Sequence, residues 1–288
     1  MNKTCLHRRS LLLATALWAV ATRVRANGRQ TLLVEVGHNP PSVIAEGATV
    51  RGIFADFLRL VGQRCELDIQ YRLLPRARVV RSFVEGGETS VLLPATRTSE
   101  RDKVGLFMPM VTTSTLLVSM RKRQFELADT AALLQQTGRV ALPRSYSWGD
   151  AYEQLVKQLE AQGRVDYVTD VPRVTERLIN GLADFSLLPA SFILGRLQSG
   201  GPHAPNRQAE DFAMTALQGL PPAQIGLYLS RQRVSEADRS RIRAAVAALV
   251  QDGSLQRLYL QYMPEPWVRE HVNMDHSDAA VIALKAPR

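Results

Sequence analysis

The sequence predicts an α/β fold that contains two β-α-β-α-β units in succession. Short apolar strand patterns alternate with amphipathic helix patterns twice along the chain, before and after a β-branched stretch at residues 111–120. Strands that alternate with helices in this way form parallel sheets covered by helices. Because the chain has 288 residues, it has room for two modest domains of this kind.

The first unit is predicted between residues 31 and 93. Its strands and helices alternate at residues 31–36, 53–64, 67–73, 76–85 and 91–93. In the first helix the apolar side chains recur at helical spacing, at Phe54, Phe57, Leu58 and Val61. The second strand alternates apolar and polar residues, which is typical of a half-buried strand.

The second unit follows the connecting stretch at residues 111–120. Its strands are predicted at residues 139–142, 165–168 and 185–188. The loop Pro143-Arg144-Ser145-Tyr146-Ser147 leads into its first helix. Asp170 caps the second helix, which has Pro172 in its first turn. The polar segment at residues 198–206 is expected to be a loop.

The carboxyl-terminal part is predicted to be helical and to end in a tail. After a strand at residues 225–229, Ser235 caps a long helix and Asp238 takes the capping-box position. A shorter helix follows the turn at Gly253. Periodicity is lost after Trp267, so residues 268–288 are expected to form a loosely held tail.

The first 26 residues have the organisation of a secretory signal peptide. A basic segment precedes an apolar run at residues 11–21, and a small-residue end places cleavage after Ala26. The string H-R-R-S-L-L-L, which contains Arg8 and Arg9, resembles a twin-arginine export signal. An ordinary Sec signal with two adjacent arginines is the alternative. In either case the mature protein is expected in the periplasm.

Composition limits the partners that the mature chain is expected to bind. Removing residues 1–26 lowers the formal charge from +9 to +4, because the segment has five basic residues and no acidic one. That charge, without a basic run interleaved with aromatics, argues against nucleic acid. Only Cys65 remains, so an internal disulfide is not expected. Neither metal-ligand spacing nor a glycine-rich phosphate loop occurs, so we expect no metal and no cofactor.

The stretch V-L-L-P-A-T-R-T-S-E-R at residues 91–101 is the first candidate site. An apolar strand is stopped by Pro94, and a polar loop with Thr96, Thr98 and Arg101 follows. In open α/β sheets ligands lie beyond the carboxyl ends of strands. The arginine fork matches a carboxylate, and Thr96 offers a further hydrogen bond. The alternative is a surface loop in which Arg101 pairs with Glu100 or Asp102.

Several motifs follow one another in a characteristic order. After the export signal come L-L-V-E-V-G-H-N-P-P, V-R-G-I-F-A-D-F-L, L-L-P-R-A-R-V-V-R-S-F-V-E-G-G and L-L-P-A-T-R-T-S-E-R. The closing stretch contains a helix, a D-G turn and a short helix that ends in Q-Y. The order resembles the periplasmic solute-binding protein family 3, the extracytoplasmic receptors of polar amino-acid ABC transporters. The resemblance covers residues 31–264.

This resemblance implies a type II periplasmic binding protein fold, in which two α/β lobes joined by two hinge strands enclose the ligand. Lobe 1 is then residues 30–118 plus 226–267, and lobe 2 is residues 119–225. The implied function is capture of a small anionic or zwitterionic solute, with a carboxylate, and its delivery to a membrane ABC permease. We expect a monomer whose lobes close by hinge motion.

The resemblance also implies site residues. The family's arginine clamp for the ligand carboxylate matches Arg101. The preceding hydroxyl and the strand end match Thr96 and Pro94. The lobe 2 loop at a helix start, where free amides bind anions, matches the segment Ser145, Tyr146 and Ser147.

Two departures from the family pattern bear on the ligand. The family's acid for the α-amino group is replaced by Pro189, and the aromatic of the usual Y-P-P-F loop is replaced by His38 and Asn39. These two residues are therefore the first-loop candidates for ligand contact. A carboxylate without an amino group, or a differently held amine, is expected as readily as an ordinary amino acid.

Two other functions compete with a transport receptor. Some relatives of this fold, such as cyclohexadienyl dehydratases, are enzymes, which need an acid or base near the ligand. His38, Glu100 and Asp150 are the nearby candidates, and each has a simpler role in a loop or at a helix start. We therefore favour a binding protein over an enzyme. The third possibility is an orphan binding or sensory protein without its own permease.

Overall fold

The computed structural model describes residues 29–123, 125–198 and 208–274. The predicted signal peptide, most of the loop predicted at residues 198–206, and residues 275–288 lie outside the described residues. Within those ranges no helix combines the length and the apolar character that crossing a bilayer requires.

Lobe 1 begins with a parallel pair of strands covered by helices. Its elements up to the first crossing are β1 Gln30–Val36, β2 Ile44–Glu46, β3 Thr49–Arg51, α1 Ile53–Arg64, β4 Leu67–Leu73, α2 Arg76–Val84, β5 Val91–Thr96, α3 Ser99–Asp102 and β6 Gly105–Thr113. β1 and β4 pair in parallel, and the amide of Ser90 donates to the carbonyl of Leu33, which joins β5 to β1. The predicted first unit is therefore present, with a short β2–β3 hairpin that the sequence analysis did not predict.

Lobe 2 contains the second unit. Its elements are β7 Leu116–Met120, α4 Thr130–Gln135, β8 Val140–Pro143, α5 Asp150–Ala161, β9 Val165–Val168, α6 Val171–Ile179, β10 Ser186–Leu188, α7 Ala190–Gln198 and β11 Phe212–Ala216. β8 and β9 are parallel, and β10 and β11 flank β7 in antiparallel register. The side chain of Asp170 caps α6 as predicted, by accepting from the amide of Arg173.

The chain then returns to lobe 1. The returning elements are β12 Ala223–Ser230, α8 Glu236–Gln251, α9 Ser254–Tyr262, α10 Glu265–His271 and β13 Val272–Asn273. β12 lies antiparallel between β5 and β6, so the sheet order there is β13-β6-β12-β5. Ser235 caps α8 by accepting from the amide of Asp238, as predicted.

The sheet pairings move both predicted lobe boundaries by a few residues. All of β7 pairs with lobe 2 strands, so residues 116–118 do not belong to lobe 1. All of β12 pairs with β5 and β6, so residues 223–225 belong to lobe 1. The β-branched stretch at residues 111–120 is continuous in sequence, and nothing in its composition marks where the partner strand changes.

The predicted tail also begins later than expected. Val268 in α10 is buried, and Val272 pairs with Thr113 of β6. The hydroxyl of Thr113 donates to the carbonyl of His271 at 3.2 Å. α10 has only seven residues, too few for a periodic apolar pattern to show in the sequence. Residues 268–274 therefore belong to the folded body, as a helix and an edge strand of the lobe 1 sheet.

Candidate functional site

The two lobes face each other across a cleft with two adjoining chambers. The inner chamber has a volume of about 50 Å³ and the outer chamber about 1010 Å³. Four residues line both chambers and form what we call the neck: Asn39, Arg76, Tyr146 and Phe192. Asn39 and Arg76 come from lobe 1, and the two aromatic residues come from lobe 2. The cleft is therefore an interlobe site with a narrow passage.

The inner chamber combines hydroxyl groups with aromatic walls. Its small uncharged polar side chains are those of Asn39, Ser42, Thr96, Thr113, Ser147 and Ser191. Trp148 and Phe192 pack edge to face, with ring centroids 5.0 Å apart, and form the lobe 2 wall. The indole of Trp148 is fixed because its N–H donates to the carbonyl of Leu187 at 3.1 Å.

Arg76 supplies the positive charge at the neck. It is the first residue of α2, directly after the carboxyl end of β4 and Pro75. Its Nη2 donates to the carbonyl of Pro94 at 2.8 Å, and its guanidinium lies 5.8 Å from the ring centroid of Tyr146. Its Nε is buried and has no hydrogen-bond partner among the residues that the structure describes. Burial, with a smaller effect from the nearby charge of Arg101, lowers the pKa of Arg76 to about 10, so the group stays protonated at neutral pH.

Sequence reasoning missed Arg76, although a signal was present. The residue follows a predicted strand through Leu74 and Pro75, which is the position from which side chains point into a cleft in this class of sheet. The same argument led to Arg101, whose strand end is more apolar and whose loop has more hydroxyls. The argument that L-L-P-A-T-R places an arginine beyond a strand end, at the cleft, therefore applies equally to L-L-P-R.

Arg101 lies behind the cleft wall rather than on its surface. Its side chain is 5% exposed, and its Nη1 donates to the carbonyl of Thr96 at 2.9 Å. Its own amide donates to the hydroxyl of Thr98 at 3.3 Å. Burial lowers the pKa of Arg101. Thr96 and Pro94 line the inner chamber, whereas Arg101 is not among the described residues that line either chamber.

The lobe 2 loop places two of its three predicted residues at the cleft. Tyr146 and Ser147 line the inner chamber, and Ser145 does not. Ser145 has a φ of 65°, so the backbone is left-handed at the residue that directly precedes Tyr146. α5 begins only at Asp150, with Gly149 at its N-cap, so its free amides start further along than the sequence analysis expected. Ser147 is not the helix cap; its hydroxyl accepts from the amide of Gly149 at 3.4 Å.

The first loop contributes Asn39 to both chambers and His38 only to the outer one. Asn39 is fixed by two backbone hydrogen bonds with Val43, of 2.7 and 2.9 Å. The Nδ1 of His38 accepts from the amide of Ala45 at 3.1 Å. His38 therefore supports the loop and faces the wide part of the cleft.

No carboxylate is found among the described residues that line the inner chamber. Pro189 lines it instead, at the position where the family's acid was expected. In the outer chamber Glu46 pairs with Arg51 at 2.9 Å, and Asp170 caps α6. Among the described residues no cluster of three His, Cys, Asp or Glu side chains is placed to hold a metal ion.

Direct contacts join the lobes at two places. The amide of Ser99 in lobe 1 donates to Oδ1 of Asp150 in lobe 2 at 3.2 Å, and the Ser99 hydroxyl donates to the other oxygen. At the second place, a β-carbon at Gly195 of α7 would lie 2.9 Å from Cδ of Pro41. The backbones of the two lobes therefore approach closely, and the inner chamber is enclosed between them.

Solved structures with the same fold bind amino acids or sense signals. A histidine kinase sensor domain with similarity to periplasmic binding proteins matches with a TM-score of 0.66 and 14% identity, over 83% of this chain and 98% of that one. The GluR0 ligand-binding core from Nostoc punctiforme, in complex with L-glutamate, matches with a TM-score of 0.63 and 15% identity, over 81% of this chain and 99% of that one.

A third structure comes from a transport system. The amino acid ABC transporter substrate-binding protein AbpA from Streptococcus pneumoniae, bound to L-arginine, matches with a TM-score of 0.64 and 13% identity, over 82% of this chain and 94% of that one. At such identities the likeness establishes the fold, which is the type II periplasmic binding fold expected from the sequence. No curated protein sequence matches this chain.

The family assignment comes from the sequence match. The model of the bacterial extracellular solute-binding proteins, family 3, matches residues 31–265, which is most of the chain. This range includes lobe 2, lobe 1 up to the start of α10, the crossing strands and every residue that lines the inner chamber except Val272. The chain belongs to family 3 of the bacterial extracellular solute-binding proteins.

Proposed function

We propose that this protein captures a small carboxylate-bearing solute in the interlobe cleft, outside the cytoplasm, and delivers it to a membrane ABC transporter. The observation that carries the proposal is the charge at the cleft. Arg76 and Arg101 both lie at or directly behind the inner chamber, and within the described residues neither forms an ion pair.

Two unpaired guanidiniums are costly in such a place. Taking an ion out of water without a partner costs several kcal/mol, and an opposite charge offsets that cost. A carboxylate bound in the chamber supplies such a charge, and bidentate pairing with a guanidinium adds orientation. The arrangement therefore supports an anionic group on the ligand.

The proposed transport role is supported by the family and by the AbpA likeness. An orphan binding or sensory protein is the alternative that the sensor-domain likeness favours. Capture of the solute is common to both roles, and a cognate permease is required only by the first. Reconstitution with a candidate permease, followed by ligand-dependent ATP hydrolysis, distinguishes the two.

A cleft enzyme has less support from the positions of its candidate groups. Asp150 is hydrogen-bonded to Ser99 across the lobes, and Glu100 is exposed to solvent. His38 accepts a backbone hydrogen bond on the outer-chamber side. Each group thus has another role or lies away from the inner chamber, whereas general acid–base catalysis needs a group within hydrogen-bonding reach of the reacting atom.

The test is a thermal-shift screen of the protein lacking residues 1–26 against amino acids, organic acids and polyamines. A ligand at a hundred times its Kd stabilises the fold by about 2.7 kcal/mol, which raises the Tm measurably. We expect carboxylate-bearing compounds to raise the Tm. Stabilisation by polyamines alone would contradict the proposal, and turnover of prephenate or arogenate would favour the enzyme.

A further inference from the structure

Arg76 has a free donor where a ligand would lie. Its Nη2 donates to the carbonyl of Pro94, but its Nε is buried and finds no acceptor in the described part of the chain. A buried donor without an acceptor is unfavourable, so native structures nearly always satisfy such groups. Arg76 lines both chambers. A hydrogen-bond acceptor of a ligand at the neck would therefore lie beside the Arg76 side chain.

Arg101 is engaged differently. Its guanidinium donates to the carbonyl of Thr96, which is itself a residue of the chamber wall. The backbone at Thr96 therefore stands between Arg101 and the chamber. The charge of Arg101 still contributes to the positive potential, but its fork is held by the protein.

The same chamber is unfavourable for an ammonium group. The described residues of its lining include a guanidinium and no carboxylate. An ammonium would be repelled by Arg76 and would lose water without gaining an opposite charge, which is strongly unfavourable in an enclosed site. An α-amino acid would thus have its carboxylate satisfied and its ammonium unpaired.

The chamber volumes limit how much of the ligand fits inside. One water molecule needs about 10–15 Å³ of cavity, so the inner chamber of about 50 Å³ accommodates roughly three to five groups of that size. That is enough for a carboxylate and a few carbon or hydroxyl groups. A longer ligand extends past the neck into the outer chamber.

From these observations we propose that Arg76, and not Arg101, binds the ligand carboxylate, and that the ligand is an organic acid without an α-ammonium group. Its carboxylate end occupies the inner chamber at the neck, and its hydroxyl or keto oxygens face the hydroxyls of Thr96 and Ser147. This inference rests on the proposed function and specifies its ligand class.

The first experiment compares acids with amino acids of the same carbon skeleton. Calorimetric titration of the protein lacking residues 1–26 uses the pairs L-lactate and L-alanine, succinate and L-aspartate, 2-oxoglutarate and L-glutamate, and 3-phenyllactate and L-phenylalanine. We expect an acid to bind at least about tenfold more tightly than its partner, because the ammonium of the partner is unpaired. Equal or tighter binding of the amino acid would overturn the inference and leave the carboxylate-binding function standing.

The second experiment assigns the guanidinium, using the acid that binds most tightly. Arg76→Gln is expected to weaken binding roughly 30-fold or more, since the ligand carboxylate loses its charged partner. Arg76→Lys should recover only part of the affinity, because an ammonium lacks the fork. Arg78→Gln, on the exposed side of the same helix, is the matched control and should bind like the parent.

The variant Arg101→Gln tests which of the two arginines binds the ligand carboxylate. If this variant has a native circular dichroism spectrum and loses binding while Arg76→Gln retains it, the assignment to Arg76 is wrong. If the Arg76 variants do not fold, the comparison of matched ligands on the parent protein still decides the ligand class. If no acid and no amino acid in the set binds or raises the Tm, the proposed carboxylate-binding function fails as well.

Discussion

Arg101 is buried because its guanidinium donates to the carbonyl of Thr96, at the point where β5 ends. Its position in the L-L-P-A-T-R-T-S-E-R motif predicts a direct ligand contact, and that untested prediction is the alternative to the assignment of the carboxylate to Arg76. The hydrogen bond indicates that Arg101 also holds the chamber wall in place. Arg76, from a different strand end, has its Nε free at the neck. At the scale of single residues, hydrogen-bond partners therefore distinguish two arginines that sequence context makes alike.

We expect Arg101→Ala to raise the free energy of unfolding of the unliganded protein, because the several kcal/mol that a buried guanidinium without an ion-pair partner costs exceed the about 1–3 kcal/mol lost when the carbonyl of Thr96 loses its donor. Urea unfolding of the unliganded protein measures the change. Lys103→Ala, two residues further along the chain and exposed, is the control and should alter stability by less than about 0.5 kcal/mol. A variant that is less stable than the parent would show that the hydrogen bond to Thr96 outweighs the cost of the buried charge.

Cys65 provides a second prediction at this scale. Its side chain is 6% exposed, and burial raises the pKa of its thiol. Because the thiolate is the reactive form, the folded protein lacking residues 1–26 should react with iodoacetamide at pH 8 far more slowly than a free cysteine does. Mass spectrometry follows the reaction, and the same protein in urea is the control. Rapid labelling without denaturant would contradict the burial of this thiol.

α7 is the element that brings lobe 2 closest to the first loop of lobe 1. Its sequence, A-S-F-I-L-G-R-L-Q, was not predicted to be helical, and it contains a glycine, Gly195, in its interior. Glycine costs about 1 kcal/mol relative to alanine inside a helix. In the folded protein its lack of a side chain allows α7 to approach Pro40 and Pro41. A glycine that is unfavourable inside the helix is thus explained by the contact of α7 with the first loop.

Gly195→Ala is expected to weaken ligand binding without destabilising the unliganded protein. The new β-carbon would lie 2.9 Å from Cδ of Pro41 and 3.2 Å from the carbonyl oxygen of Pro40 when the lobes meet. Overpacking of this kind costs about 1–3 kcal/mol. Here it destabilises the closed arrangement of the lobes and not the fold of either lobe. Calorimetric titration measures the affinity and thermal unfolding measures the fold.

Lys157→Ala, on the exposed face of α5, is the matched control in lobe 2 and should leave affinity unchanged. Unaltered affinity in Gly195→Ala would mean that the approach of α7 to the first loop is not required for binding.

At the scale of the whole molecule, the cleft is bordered by contacts that exist only while the lobes meet. Ser99 and Asp150 form one of them, and Arg76 with Tyr146 forms another. None of these contacts lies within the core of either lobe. They are therefore the contacts that open when the lobes separate by hinge motion about the two crossing segments.

Ligand binding should compact the protein, and Asp150→Ala should reduce this effect. Each hydrogen bond lost from Ser99 is worth about 0.5–1.5 kcal/mol, so the variant favours the open form. Small-angle scattering with and without saturating ligand measures the radius of gyration. Gln154→Ala, exposed on the same helix, is the control. A radius of gyration that does not change at saturation in the parent would argue against hinge closure.

Export is also a property of the whole molecule. The signal-peptide organisation of the first 26 residues predicts that the exported protein begins at Asn27. Amino-terminal sequencing of protein recovered from outside the cytoplasm checks this. Retention of Met1 on that material would contradict the prediction.

The sequence by itself determined the fold class, the order of the two units, the family and the main helix caps. These features depend on local patterns, since helical and strand periodicity and capping side chains involve residues only a few positions apart. The confirmed caps at Asp170 and Ser235 are examples.

Tertiary structure alone decided which side chains meet at the cleft. Arg76 meets Tyr146, Gly195 approaches Pro41, and Val272 completes a sheet edge beside Thr113. Each pair joins residues that are 70 or more positions apart, so no local pattern contains it. Such contacts follow from how the two lobes pack, which is why the meeting of Arg76 with Tyr146 and the folded segment at residues 268–274 became evident only in the structure.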